Sequence, residues 1–161
     1  MSHIRRVFDQ IVMKILGNPW ADRVAGYIAW QRRRVTRRRV EANLRERGLY
    51  PDVVQSGPFR GMQLPNPDFF MDSRFEKVFG AYEHELFSLI SRLAEHPDAY
   101  NVLVNVGAAD GFYTVGLGRI LSSATVIAYE PNDEKTPVLM ETARLGGIAE
   151  RISLRAACTP E

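Results

Sequence analysis

Residues 102–118 read Val-Leu-Val-Asn-Val-Gly-Ala-Ala-Asp-Gly-Phe-Tyr-Thr-Val-Gly-Leu-Gly, and the change of character at Gly107 decides the fold. Val102 to Val106 is a short β-branched run with the length and composition of a buried parallel strand. Gly107, Ala108, Ala109, Asp110 and Gly111 follow, all small or turn-forming, and then an apolar segment from Phe112 to Leu121 that reads as a helix. Strand, tight turn and helix make half of a βαβ unit. Small residues let backbone approach a ligand closely, and a helix N-terminus offers N–H groups to polar or anionic atoms.

Outward from that stretch, Thr125 to Tyr129 reads as a second strand with Glu130 at its tip. A carboxylate there can accept two hydrogen bonds from a ribose diol, as in nucleoside-binding α/β folds. Pro131-Asn132-Asp133 turns the chain, with Asp133 the expected helix cap. Glu134 to Leu145 is the second helix, Pro137 sits in its first turn, and Gly146-Gly147 ends it. Ile152 to Ala157 reads as a third strand. Gly116 and Gly118 are expected to let the first helix lie close on the sheet, at some cost in helix stability. The turn is Gly-x-x-x-Gly and lacks the Gly-x-Gly-x-x-Gly fingerprint of a pyrophosphate site, which counts against a nicotinamide enzyme.

VNVGAADGFYTVGLG (104–118) followed by VIAYEPN (126–132) resembles the first two motifs of class I S-adenosylmethionine-dependent methyltransferases, the FkbM-like group in particular. SGPFRGMQLP (56–65) and FGAYEHELFSLI (79–90) are similar to the lead-in of some such proteins, so the likeness runs from Gly57 to Glu161. It implies a Rossmann-like α/β fold, S-adenosylmethionine as cofactor, and methyl transfer to a hydroxyl of a small molecule or glycan. It implies cofactor contacts from Asn105, Gly107, Ala108, Ala109, Asp110, Gly111 and Tyr113 around the methionine end, with Glu130 and Pro131 at the ribose. Asn105 stands where the family usually has Asp or Glu, so this position brings no negative charge to the cofactor's ammonium group. No catalytic base is nameable from the residues.

The 161 residues suffice for one domain with a core, and the hydrophobic and charged fractions, 45% and 25%, are those of ordinary globular proteins. A lone cysteine, Cys158, excludes an internal disulfide and suits a reducing, cytoplasmic setting. No apolar run reaches membrane-spanning length, and Asp9, Gln10 and Lys14 interrupt the N-terminal apolar stretch, arguing against a signal peptide.

The net charge of +2 hides a division. Residues 1–50 hold twelve Lys or Arg against four Asp or Glu; residues 51–161 hold nine against fifteen. The expected organisation is a basic helical extension (1–50), a Pro/Gly-rich connector with one short hairpin near GPFRGMQL (51–74), and the half-fold (75–161). Ile4, Val7, Phe8, Ile11, Val12, Ile15 and Leu16 form an apolar helical stripe, stopped by Gly17-Asn18-Pro19. A second helix is expected from Ala21 to about Arg47, ended by Gly48 and Pro51. Arg32, Arg33, Arg34, Arg37, Arg38 and Arg39 crowd its middle. Such a run is ordinarily a solvated face, but its self-repulsion favours an anionic partner: nucleic acid, an acidic membrane surface, or an acidic protein face.

Arg74 to Glu95 reads as the strongest helix, burying Phe75, Val78, Phe79, Tyr82, Leu86, Leu89, Ile90 and Leu93. Tyr82, Glu83 and Glu85 invite a catalytic reading, since an acid near a methyl donor can act as a general base; a helical Glu is more often solvated or paired. His84 and His96 lack metal-ligand company.

A doubly wound sheet has strands on both sides of its first strand, and its ligand lies over the switch point. Only three strands and their crossovers are legible here, and the family's later acidic motif has no counterpart. The expectation is therefore a truncated chain or one completed by a partner, with the unpaired edge of the first strand inviting self-association. Against an enzyme stands a second hypothesis, a non-catalytic cofactor-binding remnant whose basic arm meets nucleic acid or an anionic membrane.

Overall fold

The computed structural model describes residue 27 and residues 35–36, 38–65 and 73–158. The chain divides into two units, residues 1–48 and 49–161, each treated by itself. In the first, residues 38–46 are helical and Gly48, at φ +73°, follows the last turn, as its sequence position predicts. Arg38, Arg39, Arg45 and Arg47 are exposed. The expected first helix and the start of the second lie outside the described residues.

The second unit is α/β. Three parallel strands, β1 (Val102–Val106), β2 (Thr125–Tyr129) and β3 (Ile152–Arg155), lie in the order β1-β2-β3. Val104 stands opposite Ile127, and Ala128 opposite Leu154. Among the described residues four α-helices accompany them: α1 (Arg74–Val78), α2 (Phe87–Glu95), α3 (Phe112–Ile120) and α4 (Thr136–Leu145). This is the Rossmann-like half-fold expected from the two motifs, and β3 closes two residues before the expected Ala157.

Sequential strand order sends both crossovers the same way, so α3 and α4 cover one face. On that face Val126 and Ala128 are buried, and Leu139 of α4 packs on Ala128 beside Leu154. The other face is bare among the described residues: Val102, Val104 and Val106 are 53, 54 and 62% exposed. The β1 run was expected to be buried on both sides; three of its five residues are exposed and two only partly buried, because among the described strands it neighbours β2 alone and no described helix crosses behind it.

Residues 51–65, expected as part of a connector, carry much of the core. Val54, Phe59, Met62 and Leu64 are buried with Val78, Ile90, Phe112 and Val115. Val53 and Gln63 form the antiparallel bridge of the expected small hairpin. A Cβ on Gly116 would fall 2.6 Å from the Phe59 ring, so that glycine admits the hairpin, whereas Gly118 faces Ile148 and Val126 of the sheet. Arg151 donates to the carbonyls of Gly118, Leu121 and Ala124, satisfying the C-terminal end of α3.

Two sequence expectations are corrected. The N-cap of α4 is Lys135, with no side-chain capping bond, in place of Asp133; Asn132 Oδ1 accepts from the Glu134 N–H at 2.9 Å in the turn before the helix, which starts at Thr136 rather than Glu134. The single helix from Arg74 to Glu95 is broken: α1 stops at Val78, Gly80 takes φ +64° and Glu83 φ +47°, and the chain resumes as α2. The Ser56 carbonyl causes the break at Gly80, where a Cβ would lie 2.1 Å from its oxygen. In consequence Phe79, Leu86 and Leu89 are exposed rather than buried.

Candidate functional site

The break between α1 and α2 and the turn after β1 enclose a cavity of about 300 Å³, at the lower end of the range for small-molecule sites. Asn105, Gly107, Ala108, Ala109, Asp110 and Tyr113, all singled out from sequence, line it together with Lys77, Tyr82 and Glu83. Gly111, Glu130 and Pro131 do not.

The turn is held by its own amides. Gly107 and Ala108 both donate to the Tyr129 carbonyl, and Gly111 donates to Ala108. Ala109 donates to Glu130 Oε2 at 2.7 Å, and Asn132 donates to Glu130 Oε1 at 2.9 Å. Glu130 is therefore a latch between the tip of β2 and the turn after β1, each carboxylate oxygen keeping further lone-pair capacity. With these amides engaged internally, the turn is not an anion cradle of the P-loop kind.

Asp110 is buried. One oxygen accepts from the Phe112 N–H at 3.1 Å at the start of α3, and the other pairs with Lys77 Nζ at 2.5 Å. The ammonium also lies 4.9 Å from the centre of the Tyr82 ring and 5.3 Å from that of Phe112. Sequence reasoning missed Lys77, because a lone lysine in a helix has no periodic signature and its partner is 33 residues away. Asn105, half-buried, donates from Nδ2 to Thr114 Oγ1 at 2.8 Å, leaving its carbonyl oxygen as a neutral acceptor.

Three non-glycine residues take a left-handed backbone among the described residues, and two of them, Glu83 and Ala109, face this cavity. Such conformations cost about 1–3 kcal/mol each and concentrate at ligand sites. The Tyr113 hydroxyl is buried and makes no hydrogen bond of normal geometry. Burial, and then the Glu83 carboxylate nearby, push its pKa upward; Tyr82 is raised by the same causes. The Tyr113 phenol keeps its proton beside the Glu83 carboxylate, the acceptor that both tyrosines face. Among the described residues no group of three or more His, Cys, Asp or Glu stands together as a metal site, and no helix is long and apolar enough to cross a membrane.

Comparison with known proteins adds little to this geometry. No protein-family profile matches the chain, and no curated protein matches it. Among solved structures it is similar to a candidate O-methyltransferase from Klebsiella pneumoniae, at 22% identity and a TM-score of 0.38. That match covers 48% of this chain and 34% of the other, and a likeness this slight carries no functional argument.

Proposed function

We propose that this chain binds S-adenosylmethionine in the cavity at the end of β1 and serves methyl transfer to a hydroxyl of a small molecule or glycan. One observation carries the cofactor reading. The turn that resembles a methyltransferase motif lines a cavity whose backbone is strained toward it, while several of its amides are already engaged by Tyr129 and Glu130. A pyrophosphate would need those amides; a sulfonium nucleoside with an amino-acid tail does not.

The residues fit that group. Gly107, with φ +77° and open space where a Cβ would stand, leaves room for a ligand against the backbone. Glu130, buried behind the cavity lining, fixes the turn against which the ligand would lie, and Asn105 presents a polar atom to the amino-acid end. When bound, the sulfonium supplies an electrophilic methyl group. The chain's own contribution is positioning, which does most of the work in an in-line displacement. The described residues offer no general base on the acceptor side.

Isothermal titration tests the reading. S-adenosylhomocysteine is expected to bind and NAD to bind at least tenfold more weakly, with Glu130→Ala weakening the first. Equal affinity for both ligands, or none for either by folded protein, overturns it.

A further inference from the structure

The amino-acid end of such a cofactor carries an ammonium group, and an ammonium buried against protein needs a carboxylate. Of the residues lining the cavity, Asn105 is neutral, and two, Asp110 and Glu83, are acids. Asp110 is committed to Lys77 and to the first turn of α3. Glu130, outside the lining, is committed to two backbone amides. Glu83 forms no salt bridge with any described residue; its neighbours are the hydroxyls of Tyr82 and Tyr113, neutral donors that leave its charge uncompensated in the cavity wall. Its backbone is held at φ +47°, ψ +48°, a conformation a glutamate adopts only when its surroundings impose it. Those surroundings are the close approach of Gly80 to Ser56 and the rings of Tyr82, Phe112 and Tyr113 packed edge to face. Had the helix run on through residue 83, this side chain would lie on a helix surface with its neighbours four residues away. The break is what brings it to the cavity.

We propose that Glu83 is the carboxylate that receives the cofactor's α-ammonium, supplying from the broken helix the charge that Asn105 of β1 does not bring; this rests on the cofactor reading above. Asn105 then contributes a neutral acceptor to the same group. The site's preference for a ligand with an amino-acid tail comes from a residue outside the strand-turn-helix motif.

Titration of purified full-length protein with two ligands tests this. S-adenosylhomocysteine carries the tail, and 5′-methylthioadenosine lacks it. Glu83→Gln keeps the shape and removes the charge. It is expected to weaken S-adenosylhomocysteine by about ten- to a hundredfold, the range of a lost charge-assisted hydrogen bond, and to leave 5′-methylthioadenosine within about twofold. Glu83→Asp, which keeps the charge and tolerates a left-handed backbone, is expected to fall between wild type and Glu83→Gln. Adding Asn105→Asp to Glu83→Gln is expected to restore preference for the tailed ligand. Unchanged S-adenosylhomocysteine affinity in Glu83→Gln, or equal loss of both ligands, overturns the role of Glu83 while Glu130→Ala still reports on the site. If wild type binds neither ligand, the cofactor reading falls and this inference with it.

Discussion

Lys77 and Asp110 show how much of this site is decided by one buried pair. Their side chains are 8% and 12% exposed, so neither charge has water to fall back on. Removing one partner from such a pair typically costs about 3–5 kcal/mol, because the other is left uncompensated. Lys77→Ala is therefore expected to lower the unfolding free energy by that amount in urea titration; a loss below about 1 kcal/mol would mean the pair is solvated. Tyr113 gives a prediction in pH. Its folded pKa lies above the ordinary 10.0, first through burial and then through Glu83, so the folded state holds its proton where the unfolded chain releases it. The stability this contributes is fully present below about pH 10 and is lost as pH rises beyond it. Tyr113→Phe should flatten the alkaline limb of the stability profile, and absorbance at 295 nm should show late-ionising tyrosines in wild type. Tyrosines that all ionise together near pH 10 would contradict the burial of this hydroxyl.

At the scale of elements, the three strands and two crossover helices were legible because each follows from local signals: β-branched runs, turn glycines, and Pro137 in a first turn. The cavity wall was legible where it coincides with the motif, at Asn105, Gly107 to Asp110 and Tyr113. It was not legible at Lys77, nor in the position Glu83 takes. The apolar spacing from Phe75 to Leu93 satisfies a continuous helix, and only the tertiary approach of Ser56 to Gly80 breaks it. Likewise the proline- and glycine-rich stretch that looks like a linker buries Phe59 and Met62, because Gly116 leaves a slot for an aromatic ring. Gly80→Ala tests the first point. A left-handed alanine costs about 1–2 kcal/mol, and overpacking against a backbone carbonyl adds about 1–3 kcal/mol. A loss of at least about 2 kcal/mol in chemical denaturation is expected, and a neutral outcome would mean that the helix can run through.

At the largest scale, the sheet of the second unit is covered on one face among the described residues. Val102, Val104 and Val106 line an apolar, uncovered face, and β1 offers an unpaired edge among the described strands. Such an edge pairs readily with another chain. The isolated protein is expected to self-associate with rising concentration in sedimentation velocity, and Val104→Lys to reduce that association without lowering the melting temperature by more than a few degrees. Concentration-independent monomer in wild type would show that the edge is protected. The basic unit makes a separate claim: if its arginines hold an anionic partner, affinity for RNA or for anionic vesicles should fall steeply as salt rises to physiological strength. Affinity that ignores salt would place its source elsewhere. The most direct test of the site is an amide-resolved NMR titration of the protein with S-adenosylhomocysteine. The expected result is that shifts gather at Glu83 and at Gly107 to Gly111, with β3 and residues 38–46 unmoved. Saturable shifts confined to other residues, or none at millimolar ligand, would contradict an adenosyl cofactor at the end of β1.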